Sequence, residues 1–255
     1  MPQSPGLTSS EIGTLWITYQ QKTMVLRMLE YFIEKADDEE AKDIMVNISE
    51  KVKPYVEQIV VMYQEENLPI PVGFTSEDVN KEVPKLYDNG FDIMFLRLME
   101  KISTGMHTLN LSMSYRHDVT TLYRELTQIT QKCYEDCTQY LLNKGLLVKP
   151  SYASIEQTVE FVRDTNYLGG LNPFKEKRPL STVEIAHLYL AIESNSIGRN
   201  LINGFAQCAE KEDVKQHFKK GCQLAAKVIE KSTHFLRKMA CKCLQHQVAM
   251  SQILS

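Results

Sequence analysis

A glutamate three residues before a histidine occurs once in this chain, at Glu184-x-x-His187. On a helix that spacing puts a carboxylate and an imidazole on one face. Paired with single glutamates from two further helices, two such motifs build a di-metal carboxylate centre. Glu184 and His187 are therefore the only metal-site candidates, and they compete with a plainer role, because Glu184 also sits where a helix-capping glutamate belongs. His107 and His117 fall near the end of a third helix and the start of a fourth, and neither has a glutamate three residues before it. Cys133 and Cys137 lie one helical turn apart, a spacing that fits a buried apolar edge better than a redox pair.

Other chemistry-bearing patterns are missing: there is no G-x-S-x-G, no C-x-x-C and no glycine-rich phosphate loop. The sequence thus assigns no catalytic residue, no cofactor-binding residue and no cofactor. Methionines 24, 28, 45, 94, 99, 106 and 113 recur at helical spacing and read as core filler. Tyr55, Tyr63, Tyr123, Tyr134 and Tyr140 read as core rings with hydroxyls at the surface. The net charge of −3 over 255 residues argues against a nucleic-acid partner, and the compact basic run Lys175-Glu176-Lys177-Arg178 reads as a solvated linker. No stretch approaches the roughly 18 apolar residues of a membrane span, and the N-terminus lacks a secretory pattern, which places the chain in the cytoplasm at synthesis.

The elements available to position side chains are helices. Ile12, Leu15, Trp16, Tyr19, Thr23, Leu26 and Phe32 recur at spacings of three and four, predicting a helix from Thr8 to about residue 36, opened by a Thr8/Glu11 capping box. Asp37-Asp38 caps a second, about residues 39–66, in which Pro54 should produce a kink. Residues 67–83, carrying Leu68-Pro69-Ile70-Pro71-Val72-Gly73, read as a long crossover. A third helix is predicted over about residues 84–115, interrupted at Asn89-Gly90, with Met94, Leu98, Ile102, Met106, Leu109 and Met113 on one side. A fourth opens at Asp118 and ends at Lys144-Gly145. Four helices joined short, long, short give an all-α, ferritin-like four-helix bundle over residues 7–146.

The beginning of the chain then returns. Leu7-Thr8-Ser9-Ser10-Glu11-Ile12 and Leu180-Ser181-Thr182-Val183-Glu184-Ile185 open segments that align without gaps at an offset of 173 residues. Residues 147–179 read as a linker with a short helix near 155–163 and turns at Gly169-Gly170 and Asn172-Pro173. Residues 180–238 read as the first two helices of a second bundle. Beyond Lys238 the likeness stops. Shifting the reading frame within the Lys238 codon lets the genetic code restore D-G-L-Q-V-P opposite Glu66-Asn67-Leu68-Pro69-Ile70-Pro71, so residues 239–255 read as an out-of-frame tail and Cys241-x-Cys243 as no metal site.

Leu68-Pro69-Ile70-Pro71-Val72-Gly73-Phe74-Thr75, Leu111-Ser112-Met113-Ser114 and Lys177-Arg178-Pro179-Leu180 together resemble domain of unknown function 3231, a family from endospore-forming bacteria. The resemblance implies two tandem ferritin-like bundles, similarity to coat F type spore coat proteins and a setting in the spore coat, with no catalytic residues to carry over. The combined expectation is a non-enzymatic structural or interaction protein that self-associates through its second half-bundle, with other coat proteins as further partners. The alternative is a ferritin-like metal-binding or oxidoreductase protein with a degenerate di-metal centre.

Overall fold

The computed structural model describes residues 6–88, 90–150 and 180–253, with side chains described as far as Arg237. It divides into two compact units, Met1–Leu147 and Val148–Ser255. The expected short helix near 155–163 and the turns at 169–173 lie outside the described residues.

The first unit contains α1 (Ser9–Lys35), α2 (Glu39–Glu65), α3 (Phe91–Ser112) and α4 (His117–Asn143), with one 3-10 turn (Ser76–Asp78) in the crossover. The Thr8/Glu11 capping box is present in both directions, and Asp38 caps α2 by accepting from the Ala41 N–H. α2 continues through Pro54 as a single helix. Gly145 takes the left-handed conformation, φ 68°, just past the end of α4, where only glycine adopts it without strain. α3 is shorter than its sequence pattern predicts. Gly90, at φ 69°, is its N-cap, and residues 84–88 are not helical.

Contacts between helix ends fix the directions. Ser10 Oγ donates to the Met113 carbonyl, so the start of α1 meets the end of α3. Arg116 at the start of α4 pairs with Glu66 at the end of α2, and Lys144 just past the end of α4 pairs with Asp38 at the start of α2. Tyr63 of α2 donates to the Ile12 carbonyl at 2.6 Å, so α1 and α2 are antiparallel as well. It follows that α2 and α3 run parallel, joined by the crossover, the connectivity of a bundle with one long connection and compatible with a ferritin-like arrangement.

The crossover is held against α1. Thr23 Oγ1 accepts from the Phe74 N–H at 3.1 Å, and Gln20 donates to the Val72 carbonyl. A β-carbon on Gly73 would come within 2.6 Å of the Tyr19 ring and 2.7 Å of Thr23 Oγ1, so the backbone can approach this closely only as glycine. Where the crossover ends, Tyr31, Phe32, Tyr87, Phe91 and Phe95 form an aromatic cluster, with the Tyr87 and Phe91 rings stacked 4.4 Å apart.

The core of the first unit includes Leu15, Ile59, Met62, Tyr63, Val119, Leu122, Tyr123 and Leu126. Two sequence expectations fail here. On α3, Ile102 and Leu109 are 49% and 53% exposed, whereas Ile93, Leu96, Glu100, His107 and Asn110 face inward. Leu98 of the expected stripe is buried, but the core side of this helix is partly polar, so hydrophobicity alone misplaces Ile102 and Leu109. Tyr63 and Tyr123 are fully buried, hydroxyls included, and of the seven methionines named above only Met45 is fully buried.

The second unit contains α5 (Thr182–Cys208) and α6 (Glu212–Ile253), which pack against each other. Their first residues fall 173 positions after those of α1 and α2, and Ser181 with Glu184 forms the same capping box. The backbone of α6 stays helical through Ile253, so Lys238 is not a helix end. Among the described residues no helix is long and apolar enough to cross a membrane.

Candidate functional site

The first unit carries two polar constellations. The first closes one end of the bundle around Glu11, a residue that capping alone would leave at the surface but which is 0% exposed. One carboxylate oxygen accepts from the Thr8 N–H and hydroxyl at 2.8 and 2.7 Å. The other accepts from the N–H groups of Tyr115 and Arg116, both at 2.8 Å. Those two N–H groups belong to the α3–α4 turn, at the N-cap of α4 and the residue before it, where no helix carbonyl is placed to accept from them. Desolvation pushes the Glu11 carboxyl up, but the backbone donors at Arg116, Thr8 and Tyr115, helped by the Thr8 hydroxyl, outweigh it and bring the pKa from 4.5 to about 2. Arg116, 7% exposed, reaches the other way, forking onto both oxygens of Asp118 at 2.8 Å and pairing with Glu66. One carboxylate and one guanidinium thus tie α1, α2 and the α3–α4 turn together.

The second constellation lies mid-bundle. Lys22 of α1 and Glu100 of α3 are each 3% exposed, and His107 and Thr130 are each 1% exposed. Burial lowers the Lys22 pKa against the opposing fields of Glu100 and Cys133, and burial raises the Glu100 pKa against the field of Lys22. Thr130 spends its hydroxyl proton on the Leu126 carbonyl. The His107 Nδ1 contact to Thr130 Oγ1, 3.1 Å, therefore makes Nδ1 the protonated nitrogen and leaves Nε2 a bare, buried lone pair without a protein partner. Desolvation, reinforced by the Lys22 charge, brings the His107 pKa down to about 3, so the ring is neutral. Cys133 is pushed up to about 12 by burial and the nearby Glu100 charge, and Cys137 is raised for the same reasons.

This centre gathers residue types found in active sites, but burial disables its thiols. Its thiols are protonated and poor nucleophiles. Lys22 sits among the groups that a metal ion would need as ligands. Among the described residues no group of three or more His, Cys, Asp or Glu side chains could hold a metal ion. Lys22 and Glu100 are coupled electrostatically within the core, each field partly offsetting the other's desolvation.

The sequence candidates lie elsewhere. Glu184 accepts from the Ser181 N–H at 2.8 Å and its hydroxyl at 3.1 Å in the capping box of α5, and His187 is exposed. His117 is the first residue of α4, and Cys241 and Cys243 lie beyond the described side chains. Lys22 and Glu100 went unnoticed in the sequence, although Leu15, Thr18, Lys22, Leu26 and Leu29 share one helical stripe that carries Lys22 inward.

The fold and the site define an all-helical protein built on a bundle with buried polar side chains in its core. The chain belongs to the DUF3231 family, described as a protein of unknown function, whose profile matches residues 1–159 and 169–242. No curated protein matches the chain. Among solved structures it is similar to a candidate spore coat protein from Bacillus halodurans C-125, with 14% identity and a TM-score of 0.56, covering 61% of this chain and 100% of that one. It also overlaps a DUF305 fragment from Deinococcus radiodurans, with 12% identity and a TM-score of 0.47, covering 55% of this chain and 99% of that one. At these identities the likeness is one of fold.

Proposed function

We propose that this chain is a non-enzymatic structural protein of the spore coat or its assembly, working by association of helical surfaces with further copies of itself and with other coat proteins. The observation that carries the reading is the silencing of the mid-bundle centre. Its thiols are held protonated by burial, its lysine and glutamate are buried and coupled to each other, and among the described residues no group of three or more His, Cys, Asp or Glu side chains could hold a metal ion, so these residues serve packing. The similarity to a candidate spore coat protein supports the setting. In the same reading, synthesis is cytoplasmic, residues 180–238 are the first half of a second bundle, and residues 239–255 are translated out of frame. Nucleotide sequence past the Lys238 codon that encodes no amphipathic helices in the shifted frame removes that last element.

The test is a fluorescent fusion expressed from its own promoter in an endospore-forming host, with metal analysis of protein purified without chelator. A shell around the developing spore and less than about 0.1 metal ion per chain are expected. Diffuse fluorescence in growing cells, or stoichiometric iron or manganese, overturns the reading and favours a metal-dependent protein.

A further inference from the structure

The α5–α6 hairpin has the sequence pattern of α1–α2 but not its burial. In the first unit, Leu15, Leu29, Phe32, Met45 and Met62 are 0–3% exposed. The residues 173 positions later are Leu188, Ile202, Phe205, Phe218 and Phe235, all apolar. Phe205 is 37% exposed, Phe235 is 51% exposed, and Leu188, Ile202 and Phe218 are half-buried. Val214, where Ala41 is 3% exposed, is itself 38% exposed. Within the hairpin Ile197, Gly204, Ala206 and Ser232 are buried and the Phe205 and Phe218 rings meet with centroids 5.7 Å apart, yet Phe205, Val214 and Phe235 keep more than a third of their surface open.

What covers such a face can be read from the first unit. There α1–α2 is covered by a second helical hairpin, α3–α4, which lays α3 antiparallel to α1 and α4 antiparallel to α2. A two-fold axis perpendicular to the helices generates that neighbour scheme from a single hairpin: each helix is set antiparallel beside its own copy. We infer that the apolar face of α5–α6 is a homodimer interface, docking on the same face of a second copy of this chain to complete a four-helix bundle. This is an isologous contact, closed by one symmetry operation.

Two quantities support the fit. A 27-residue helix is about 40 Å long, and two helices about 10 Å apart present a face about 20 Å wide, giving about 800 Å² per partner, the size of a standard stable interface. The cost of burial is also lower than in the first bundle. At the position of Lys22 the second unit has Asn195, so no ammonium group has to be buried there. Lys22 is the midpoint of α1 and is coupled electrostatically to Glu100 near the middle of α3. By the same register Asn195, the midpoint of α5, meets its own counterpart in the second copy. Two amides can satisfy each other there, and a single buried asparagine fixes register and oligomeric state.

The inference rests on the reading of the protein as an associating scaffold but is tested separately from it. Sedimentation equilibrium of the full chain at about 20 μM is expected to give twice the 29.3 kDa chain mass. Phe205→Glu with Phe218→Glu should halve that mass, while Val72→Glu, at an 84% exposed site in the first unit, should leave it unchanged. Asn195→Cys, in a background with Cys208, Cys222, Cys241 and Cys243 replaced by serine, should form an interchain disulfide under mild oxidation, and Val183→Cys near the helix end should not. The cross-link does not depend on how well the double glutamate variant folds. A monodisperse wild-type monomer overturns the inference, including the case in which the chain's own first unit covers the face. A dimer that survives the glutamates and fails to cross-link at position 195 overturns it too, by placing the contact elsewhere. Either result leaves the localisation test of the scaffold reading standing.

Discussion

Replacing Glu11 by glutamine tests how much stability one carboxylate supplies by reaching between distant parts of the chain. The amide keeps one carbonyl oxygen where the carboxylate used two. It cannot accept from both the Thr8 pair and the Tyr115 and Arg116 N–H groups, and its NH₂ would point at donors. The drop from 4.5 to about 2 corresponds to a ceiling of about 3.4 kcal/mol, at about 1.36 kcal/mol per unit. Glu11 lies at one end of the bundle, where solvent screens more than at the centre, so about 2 kcal/mol is the expected loss at neutral pH. The sign of the pH dependence follows from a folded pKa below the unfolded one. The contribution is complete above about pH 4.5 and fades as pH falls through about 2. Trp16, the only tryptophan of the chain, stands 6.3 Å from the Tyr63 ring, so its fluorescence reports unfolding of the first unit alone. Denaturant titrations of wild type and Glu11→Gln across this range should give curves about 2 kcal/mol apart at neutral pH that converge in acid. Asp118 and Asp38 also titrate low, and the difference between the two proteins cancels them. A variant within about 0.5 kcal/mol of wild type at neutral pH, or a gap that does not close in acid, refutes the reasoning.

Other outcomes follow from the same geometry. Lys22→Met alone should cost about 3–5 kcal/mol by leaving Glu100 unmatched, whereas Lys22→Met with Glu100→Leu should recover most of it, measured by Trp16 fluorescence in a double-mutant cycle. The His107 ring signals in NMR should not titrate between about pH 5 and pH 8, since its pKa is near 3. Being lower than in the unfolded chain, that pKa means the stability contributed by the neutral ring is present above about pH 6.5 and is lost as pH falls towards 3. Gly73→Ala should destabilise the first unit by about 1–3 kcal/mol, because the added carbon meets a ring and a hydroxyl that already anchors the crossover. Among the four described cysteines, Cys208 should react first with a thiol reagent, and Cys133 and Cys137 only on unfolding.

Much of the architecture is legible in the sequence because local signals and global fold agree. The capping boxes at Thr8 and Ser181, the Asp38 cap, the crossover prolines and Gly145 each act within a few residues, and each marks a real boundary. The polar core is not legible in the same way. Glu11 reads as a cap, and its second role depends on N–H groups more than a hundred positions away. Glu100 and His107 point inward because Lys22 and Thr130 wait there, a match between helices that no single helix displays. The methionine and leucine stripe of α3 misleads for the same reason: apolar content marks an inner face only where no polar partner competes for it. Pro84 to Asp88 follow the helical pattern yet stay outside α3, since the chain must first turn past Tyr31, whose hydroxyl accepts from the Leu86 N–H.

The connection from Glu66 to Gly90 also sets the order of folding events. Each hairpin of the first unit, α1 with α2 and α3 with α4, closes through a short local turn, on a fast timescale for helical proteins. Docking one hairpin on the other has to wait for the crossover to close, with Thr23 and Gly73 as its latch. Until then a folded hairpin meets its cognate hairpin at an effective concentration set by the tether, in the millimolar range. Refolding at protein concentrations approaching that value should trade hairpins between chains, and refolding from dilute solution should not. The latch therefore acts on kinetics: it decides whether a bundle is built from one molecule or two.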